Sequence, residues 1–349
     1  MSAPGANRQW LLRRRPQGPV TTDDLELAST PVPSPADGEA LVRVKLICMD
    51  PTIRNFMDPD PGYGVPIAVG GVIRGMILGE VIASRHPSRR AGDPVWGFGA
   101  WSDYVVGPAG QFFPVPTAFG YPLPVYTHAL GTIGLTAHYG LFAIAGLREG
   151  ETVLVSGAAG AVGSLVGQMA RIAGASRVVG IAGGAEKCRR AVECYGYDAC
   201  IDYKAARPLT EAIGEALPDG VDVVFENVGG AILEASLDHV RKHGRVALCG
   251  MIARYGAKEL PPGPSNLWNL VVNTARIQGF LVTDILGDAA RASAALRDID
   301  VWIRDGRLRY DLDVRSGFEH IPDIFNCLFT GTHQGRLVVQ IDDQEAITR

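Results

Sequence analysis

Several things this sequence does not contain narrow its class before any motif is read. Its six cysteines, Cys48, Cys188, Cys194, Cys200, Cys249 and Cys327, are scattered along 349 residues without a CxxC pair, which excludes a dense disulfide framework of the secreted type. Cys188, Cys194 and Cys200 fall six apart, which is not a zinc spacing, and they read as helix and strand packing. No run of eighteen apolar residues occurs, so no membrane span is expected. Arg13-Arg14-Arg15 resembles the start of an export signal, but Pro16, Gln17 and Gly18 follow where an apolar core is required. A net charge of −4 offers no general attraction to nucleic acid or acidic lipid. The expectation is a reduced, cytoplasmic protein without a nucleic-acid or membrane partner.

What is present is a chain long enough for two domains, 47% of it hydrophobic. From Gln9 to Val106 short strand-like runs alternate with Pro and Gly, as in EALVRVKLICM and GVIRGMILGEVIAS. That pattern suggests a compact antiparallel or barrel-like domain rather than βαβ units. Pro114 to Pro124 is proline-rich, and beyond it LGTIGLTAHYGLFAIAGL reads as a helix that opens a region of alternating strands and helices. The boundary is placed near Tyr126, giving a first domain of residues 1–125 and 306–349 and a second of 126–305.

The organising stretch of the second domain is Glu151 to Lys187. Thr152 to Ser156 is a β-branched, apolar run that fits a strand buried on both faces. It stops at Gly157, Gly160 and Gly163, and from Val162 to Ala173 the apolar residues recur at helical spacing. GxxGxxG is a weak signal in a chain with 43 glycines. Strand, tight turn and helix in that order make it a dinucleotide-binding signal, because the bare backbone can approach a pyrophosphate at the helix start. The second strand, Arg177 to Ile181, ends in Ala182, Gly183 and Gly184, about twenty residues past Gly163, where an NAD-binding fold carries an acid for the ribose 2′-hydroxyl. No acid stands there. Lys187, with Arg189 and Arg190 nearby, can instead reach a 2′-phosphate, so NADPH/NADP is the expected cofactor.

Further strands are expected at Ala199–Asp202, Val221–Phe225, Arg245–Cys249 and Ile277–Val282, with helices over Ala185–Tyr195, Pro208–Leu217 and Ala231–Lys242, completing a doubly wound α/β sheet. Asn227 follows the fourth strand at its carboxyl end, where it can offer an amide to the cofactor. His239 and His243 are spaced i, i+4, but HVRKH lacks the Glu of HExxH and reads as a solvated helix end. After Asp305, Phe318–Thr330 is an amphipathic helix, Leu337–Ile341 a final strand, and the chain returns to the first domain.

A family likeness spans nearly all of the chain in order: MDPTIR (Met49 to Arg54), AAGAVGSLVGQMA (Ala158 to Ala170), FENVGG (Phe225 to Gly230), GRVALCGMIARY (Gly244 to Tyr255), LPPGP (Leu260 to Pro264) and the late GRLVV. The chain resembles the zinc-free medium-chain dehydrogenase/reductases, in the branch of leukotriene/prostaglandin reductases and alkenal or enone double-bond reductases. The resemblance implies a GroES-like β-barrel-type catalytic domain beside a Rossmann NADP-binding domain, and a homodimer. It implies NADPH contacts at Gly160, Ala161, Val162 and Gly163, at Lys187, Tyr203 and Asn227, along the loop Cys249, Gly250, Met251, Ile252 to Tyr255, and at Phe280, Leu281 and Val282. The branch's late cofactor-contacting Asn is His333 here, its DNVGG is ENVGG with Glu226, and the aromatic position of its MDPYMR motif is Thr52.

The ligand set of a zinc alcohol dehydrogenase is missing from the sequence: Leu78-Gly79-Glu80 lacks the His of GHE, and no four-cysteine lobe occurs. No YxxxK pair replaces it. An activated C=C bond suits such a site, since hydride addition to the β-carbon leaves an enolate that needs hydrogen-bond donors and then a proton. The expected activity is therefore NADPH-dependent reduction of α,β-unsaturated aldehydes or ketones, without a metal. Quinone or carbonyl reduction on the same scaffold, or NADPH binding without catalysis, are the competing readings. Tyr255 is the candidate catalytic donor, packing against the cofactor being its other reading. Thr52, Arg54 and Tyr63 are the candidate substrate-pocket residues, although Arg54 is better read as a salt bridge between loops.

Overall fold

The computed structural model describes residues 5–257, 259 and 261–341. The chain divides into two compact units, 1–127 with 312–349, and 128–311.

In the first unit, β1 (Ala6–Leu12) and β2 (Leu25–Pro31) pair antiparallel. They are followed by β3 (Glu39–Cys48), α1 (Thr52–Phe56), β4 (Arg74–Ser84), β5 (Pro94–Ala100), β6 (Tyr104–Pro108) and β7 (Phe112–Pro114). β3 is the hub: β4 and β6 lie antiparallel to it, and β5 and β7 continue from β4. β3 is buried on both faces at Ala40–Val42 and Leu46–Cys48, with Arg43 left exposed between. Val42, Ile47, Met49, Ile53, Trp101, Phe112, Phe318 and Phe325 meet in one buried core. Each such side chain contributes about 1.5–3 kcal/mol through the area it removes from water.

The second unit begins with α2 (Thr132–His138), which continues through Ile144 in wider π-type turns. Then follow β8 (Thr152–Ser156), α3 (Ala161–Ile172), β9 (Arg177–Ala182), α4 (Ala185–Cys194), β10 (Ala199–Asp202), α5 (Leu209–Ala216), β11 (Val221–Glu226), α6 (Gly230–Leu237), β12 (Val240–Leu248), α7 (Trp268–Val272), β13 (Arg276–Gly279), α8 (Val282–Leu286) and α9 (Ala289–Arg304). The strands form one sheet in the order β10-β9-β8-β11-β12-β13, every pair parallel. The order reverses between β8 and β11, and a doubly wound sheet of this kind takes its ligand outside the carboxyl ends at that switch point. Leu154, Val179, Ile181, Val224, Leu233 and Val246 form the core beneath it. The chain then returns to the first unit as β14 (Leu312–Ser316), α10 (Ile321–Thr330) and β15 (Arg336–Gln340). β15 runs parallel to β14 and antiparallel to β3.

Two segments differ from the sequence expectation. The helix expected over Ala231–Lys242 stops at Leu237, and Val240 already pairs with Val221. HVRKH is therefore mostly strand, with His243 turned into the left-handed region at φ 64°. Its two histidines do not share a helix face. The strand expected over Ile277–Val282 ends at Gly279, because the Asp284 side chain accepts a hydrogen bond from Leu281 N at 3.1 Å and caps a short helix there.

Candidate active site

The turn after β8 is shaped by two glycines. Gly157 sits at φ +63°, a conformation that costs a side chain about 1 kcal/mol or more. A Cβ on Gly163 would stand 2.3 Å from the Gly157 carbonyl oxygen and 2.8 Å from Ala158 Cα, so only glycine lets the helix start pass this close to the turn. Gly160, in extended backbone, is the N-cap of α3, and no acid lies in the first turn. The first amides, at Ala161, Val162 and Gly163, have no carbonyl one turn earlier to bond, and the helix dipole adds to their pull on an anion. The His128 ring bonds the Ala161 carbonyl at 2.9 Å and so steadies the turn.

Across the switch point, Glu226 ends β11 and is fully buried. Its Oε1 accepts from Ser156 Oγ at 2.7 Å, Val228 N at 2.6 Å and Gly229 N at 2.7 Å. Asn227 N donates to Ser156 Oγ at 2.8 Å, and Asn227 Nδ2 donates to the Ser156 carbonyl at 2.7 Å. The loop after β12 is stitched to the same place. Cys249 N and Gly250 N donate to the Glu226 carbonyl, Ile252 N to that of Asn227 and Ala253 N to that of Val228. Tyr255 is half-buried and folds back over this loop: Met251 N makes a long contact of 3.5 Å to its Oη. The structure thus brings together Gly160–Gly163, Asn227 and the whole loop Cys249–Tyr255.

A second group forms at the ends of β9 and β10. Gly184 N donates to Asp202 Oδ1 at 2.7 Å. The Tyr203 Oη lies 2.8 Å from where a Cβ on Gly183 would stand. Lys187 is half-buried on α4. Burial, and then the nearby charge of Lys204, push its ammonium below the usual lysine range. Arg189 is held by Glu186 at 2.7 Å and Glu193 at 2.6 Å, and Arg190 is held by Asp311 and by Tyr195 Oη. The two arginines are therefore committed within the fold, while Lys187 and Lys204 bring two cations beside Tyr203. Burial first, then Asp311, push the Tyr195 hydroxyl up to about 12.

The other candidates are dispersed. Phe280 is buried, edge-on to Phe225 and Tyr139, so of this trio Leu281, about half exposed, and Val282 lie nearer the surface beyond β13. In the first unit, Thr52 Oγ1 donates to Asp50 at 2.8 Å, and Tyr63 is exposed and edge-on to Phe56. Arg54 is buried, with donors to Asp58, the Pro16 carbonyl and the Gly18 carbonyl. His333 Nδ1 bonds the Cys327 carbonyl at 2.9 Å. That nitrogen must carry the proton in the neutral ring. Among the described residues no group of three His, Cys, Asp or Glu side chains could hold a metal. Leu260, the first residue of LPPGP, lies outside the described residues.

Two features escaped the sequence reading. ENVGG identifies Glu226 as unusual, but not as the acceptor that ties two strands together. Lys204, next to Tyr203, carries a usable signal, a lysine just past the end of β10.

Residues 8–115 match the family described as the N-terminal domain of oxidoreductase, and residues 161–298 the family described as zinc-binding dehydrogenase. The NADPH-dependent curcumin reductase of Escherichia coli (strain K12) is 35% identical over 342 residues, covering 96% of this chain and 97% of its own. The 2-alkenal reductase (NADP(+)-dependent) of Nicotiana tabacum is 34% identical over 342 residues, covering 96% and 98%. Prostaglandin reductase 1 of Bos taurus is 34% identical over 337 residues, covering 95% and 98%. Among solved structures, CurA of Vibrio vulnificus in complex with NADPH superimposes with a TM-score of 0.89 at 34% identity, covering 96% of this chain and 99% of that one.

Proposed function

The chain belongs to the zinc-free medium-chain dehydrogenase/reductases, in their branch of alkenal and enone double-bond reductases, and from that premise we propose how its residues do the work. It is an NADPH-dependent oxidoreductase that reduces the activated C=C bond of α,β-unsaturated aldehydes and ketones.

The residues fit the cofactor: a bare glycine turn meets a helix start at the sheet's switch point, and two lysines stand beside a tyrosine one strand away. Gly160, its own amide bonded to the Gly157 carbonyl at 2.9 Å, lets the pyrophosphate approach, the amides of Ala161, Val162 and Gly163 take it, Lys187 and Tyr203 take the 2′-phosphate, and Asn227 with the loop Cys249–Tyr255 takes the nicotinamide end. Phe280, Leu281 and Val282 close the edge through their backbone. His333 stands at the position of the branch's late cofactor-contacting Asn.

Bound NADPH supplies the hydride that reaches the substrate's β-carbon. The chain's own task is to meet the negative charge that then develops on the carbonyl oxygen. Tyr255 Oη donates a hydrogen bond there, an arrangement worth about 10²–10³ in rate where such donors have been removed from other enzymes. A proton delivered to the α-carbon completes the saturated carbonyl. Thr52 and Tyr63 shape the substrate side. Arg54 contributes by holding its loop, since its three donor groups are used inside the fold.

The observation that carries this reading is the loop Cys249–Tyr255 laced to Glu226, Asn227 and Val228 beside the glycine turn. Its test is turnover of NADPH with a panel of enals and enones, followed by product analysis. Saturated carbonyls are expected; alcohols alone would sink the double-bond assignment, and NADPH binding without turnover of any acceptor would make the protein non-catalytic.

A second copy of the chain is the proposed partner. β13 is the outer strand of its sheet, and on α7, which packs against β12, Trp268, Val271 and Val272 are 70%, 63% and 62% exposed, a patch of the kind that marks interfaces. Light scattering should give a dimer that Trp268→Glu splits; a monomeric parent protein would refute this. Six free cysteines support a reducing, cytoplasmic setting. Among the described residues no helix is long and apolar enough to cross a membrane. A reporter fusion exported to an oxidising compartment in its native cell would overturn that assignment.

A further inference from the structure

We propose that Glu226 is a positioning residue for the nucleotide: it acts through Ser156 and the Val228–Gly229 amides to fix Asn227 with its carbonyl oxygen, not its NH2, turned to the cofactor. The inference rests on the reading above that Asn227 meets NADPH.

Glu226 is fully buried at the switch point, and its Oε2 is buried without a hydrogen-bond partner among the described residues. A buried carboxyl with one unpartnered oxygen is costly to keep. Here Oε1 gathers three donors from two chain segments, 70 residues apart in the case of Ser156. Burial pushes the carboxyl up, against the pull of the Gly229 amide, the Ser156 hydroxyl and the Val228 amide.

The consequences run outward in two directions. Accepting from Val228 N and Gly229 N curls the chain tightly after β11 and leaves Gly229 at φ 77° and Gly230 at φ 54°. Accepting from Ser156 Oγ orients that hydroxyl so that its oxygen receives Asn227 N at 2.8 Å. With the Asn227 backbone held, its Nδ2 reaches the Ser156 carbonyl at 2.7 Å. A carbonyl accepts only from a donor, so the nitrogen of the side-chain amide must face Ser156 and Oδ1 is the atom left to meet a hydroxyl or amide proton of the nucleotide. The relay Glu226–Ser156–Asn227 therefore sets which end of an otherwise ambiguous amide the cofactor meets.

The test compares Glu226→Leu, Glu226→Gln, Ser156→Ala and Asn227→Ala with the parent enzyme, reading NADPH affinity by calorimetry, KM for NADPH against kcat, and melting temperature. Glu226→Leu should weaken NADPH about 5- to 150-fold, the range for a lost hydrogen bond to a buried polar group. The rise should fall on KM for NADPH more than on kcat. Glu226→Gln keeps an acceptor at the same place and should recover affinity to within about threefold of the parent. Combining Glu226→Leu with Asn227→Ala should be little worse than either alone, because they break one chain of action. If Glu226→Leu is too unstable to purify, Ser156→Ala cuts the relay at a smaller side chain and should weaken NADPH about three- to tenfold. A lower melting temperature with NADPH affinity unchanged, or additive effects in the double variant, would overturn the proposal. NADPH affinity unchanged in Asn227→Ala alone would instead remove the underlying placement of Asn227, and the proposal with it.

Discussion

Replacing Lys187 by alanine is the perturbation whose size the structure bounds best. Lys187 is half-buried, and burial together with the neighbouring charge of Lys204 makes its ammonium harder to keep charged. A phosphate dianion beside Lys187 relieves it, so this lysine is primed for an anion rather than neutralised by the fold. A charge-assisted hydrogen bond at a partly buried site contributes about 1.5–3 kcal/mol. At about 1.4 kcal/mol per tenfold that is roughly 10- to 150-fold in affinity. Lys204 is exposed, and its screened attraction of about 1 kcal/mol survives the substitution. That attraction is the same before and after the substitution and cancels, so the expected loss stays roughly 10- to 150-fold. Arg189 and Arg190 cannot take over, being engaged by Glu186, Glu193 and Asp311. The assay is calorimetric titration of Lys187→Ala with NADPH and with NADH at matched ionic strength. NADPH should weaken by that factor while NADH changes by less than about twofold. Equal weakening of both dinucleotides would take Lys187 away from the 2′-phosphate and leave the cofactor preference without its structural cause.

Further predictions follow from the same geometry. Gly163→Ala puts a methyl 2.3 Å from a backbone oxygen; forcing turn and helix apart costs about 1–3 kcal/mol and should weaken NADPH about five- to hundredfold. Gly110→Ala, whose Cβ meets nothing within 4 Å, should leave that titration unaltered, and identical results for the two would contradict the argument. Tyr255→Phe should lower kcat about 10²-fold with NADPH affinity retained; an unchanged kcat would reduce Tyr255 to a packing residue. His138 is held below its usual range, by burial first and against the pull of Asp298, in contact with Phe142 and Trp302. The unfolded chain takes up this proton near pH 6.5 while the folded protein does so only lower, so stability should fall as the pH drops below about 6.5. His138→Gln should flatten that limb in urea unfolding, and parallel curves would show that other groups cause it.

Much of the fold was legible because its punctuation is local. β8 and β10 match the expected bounds, Thr152–Ser156 and Ala199–Asp202, where apolar runs are cut off by glycine or by charged residues. β12 was not, because Val240 becomes strand by pairing with Val221, a partner that the helical spacing of the preceding residues conceals. The start of α8 depended on one side chain, Asp284, reaching back to a backbone amide. At the candidate site the glycines announce themselves, since their effect on backbone approach is a property of each residue alone. The roles of Glu226 and Lys204 arise only when β11 is laid beside β8 and β10 beside β9. Arg189 and Arg190 illustrate the converse. In sequence they look as available as Lys187, and the folded chain commits both to carboxylates.

The most direct test of the central claim is to supply the enzyme with NADPH deuterated at the transferring position of the nicotinamide, together with a simple enal, and to locate the label by NMR. Deuterium on the β-carbon of a saturated aldehyde is the predicted result. Deuterium on the former carbonyl carbon of an allylic alcohol would contradict the account.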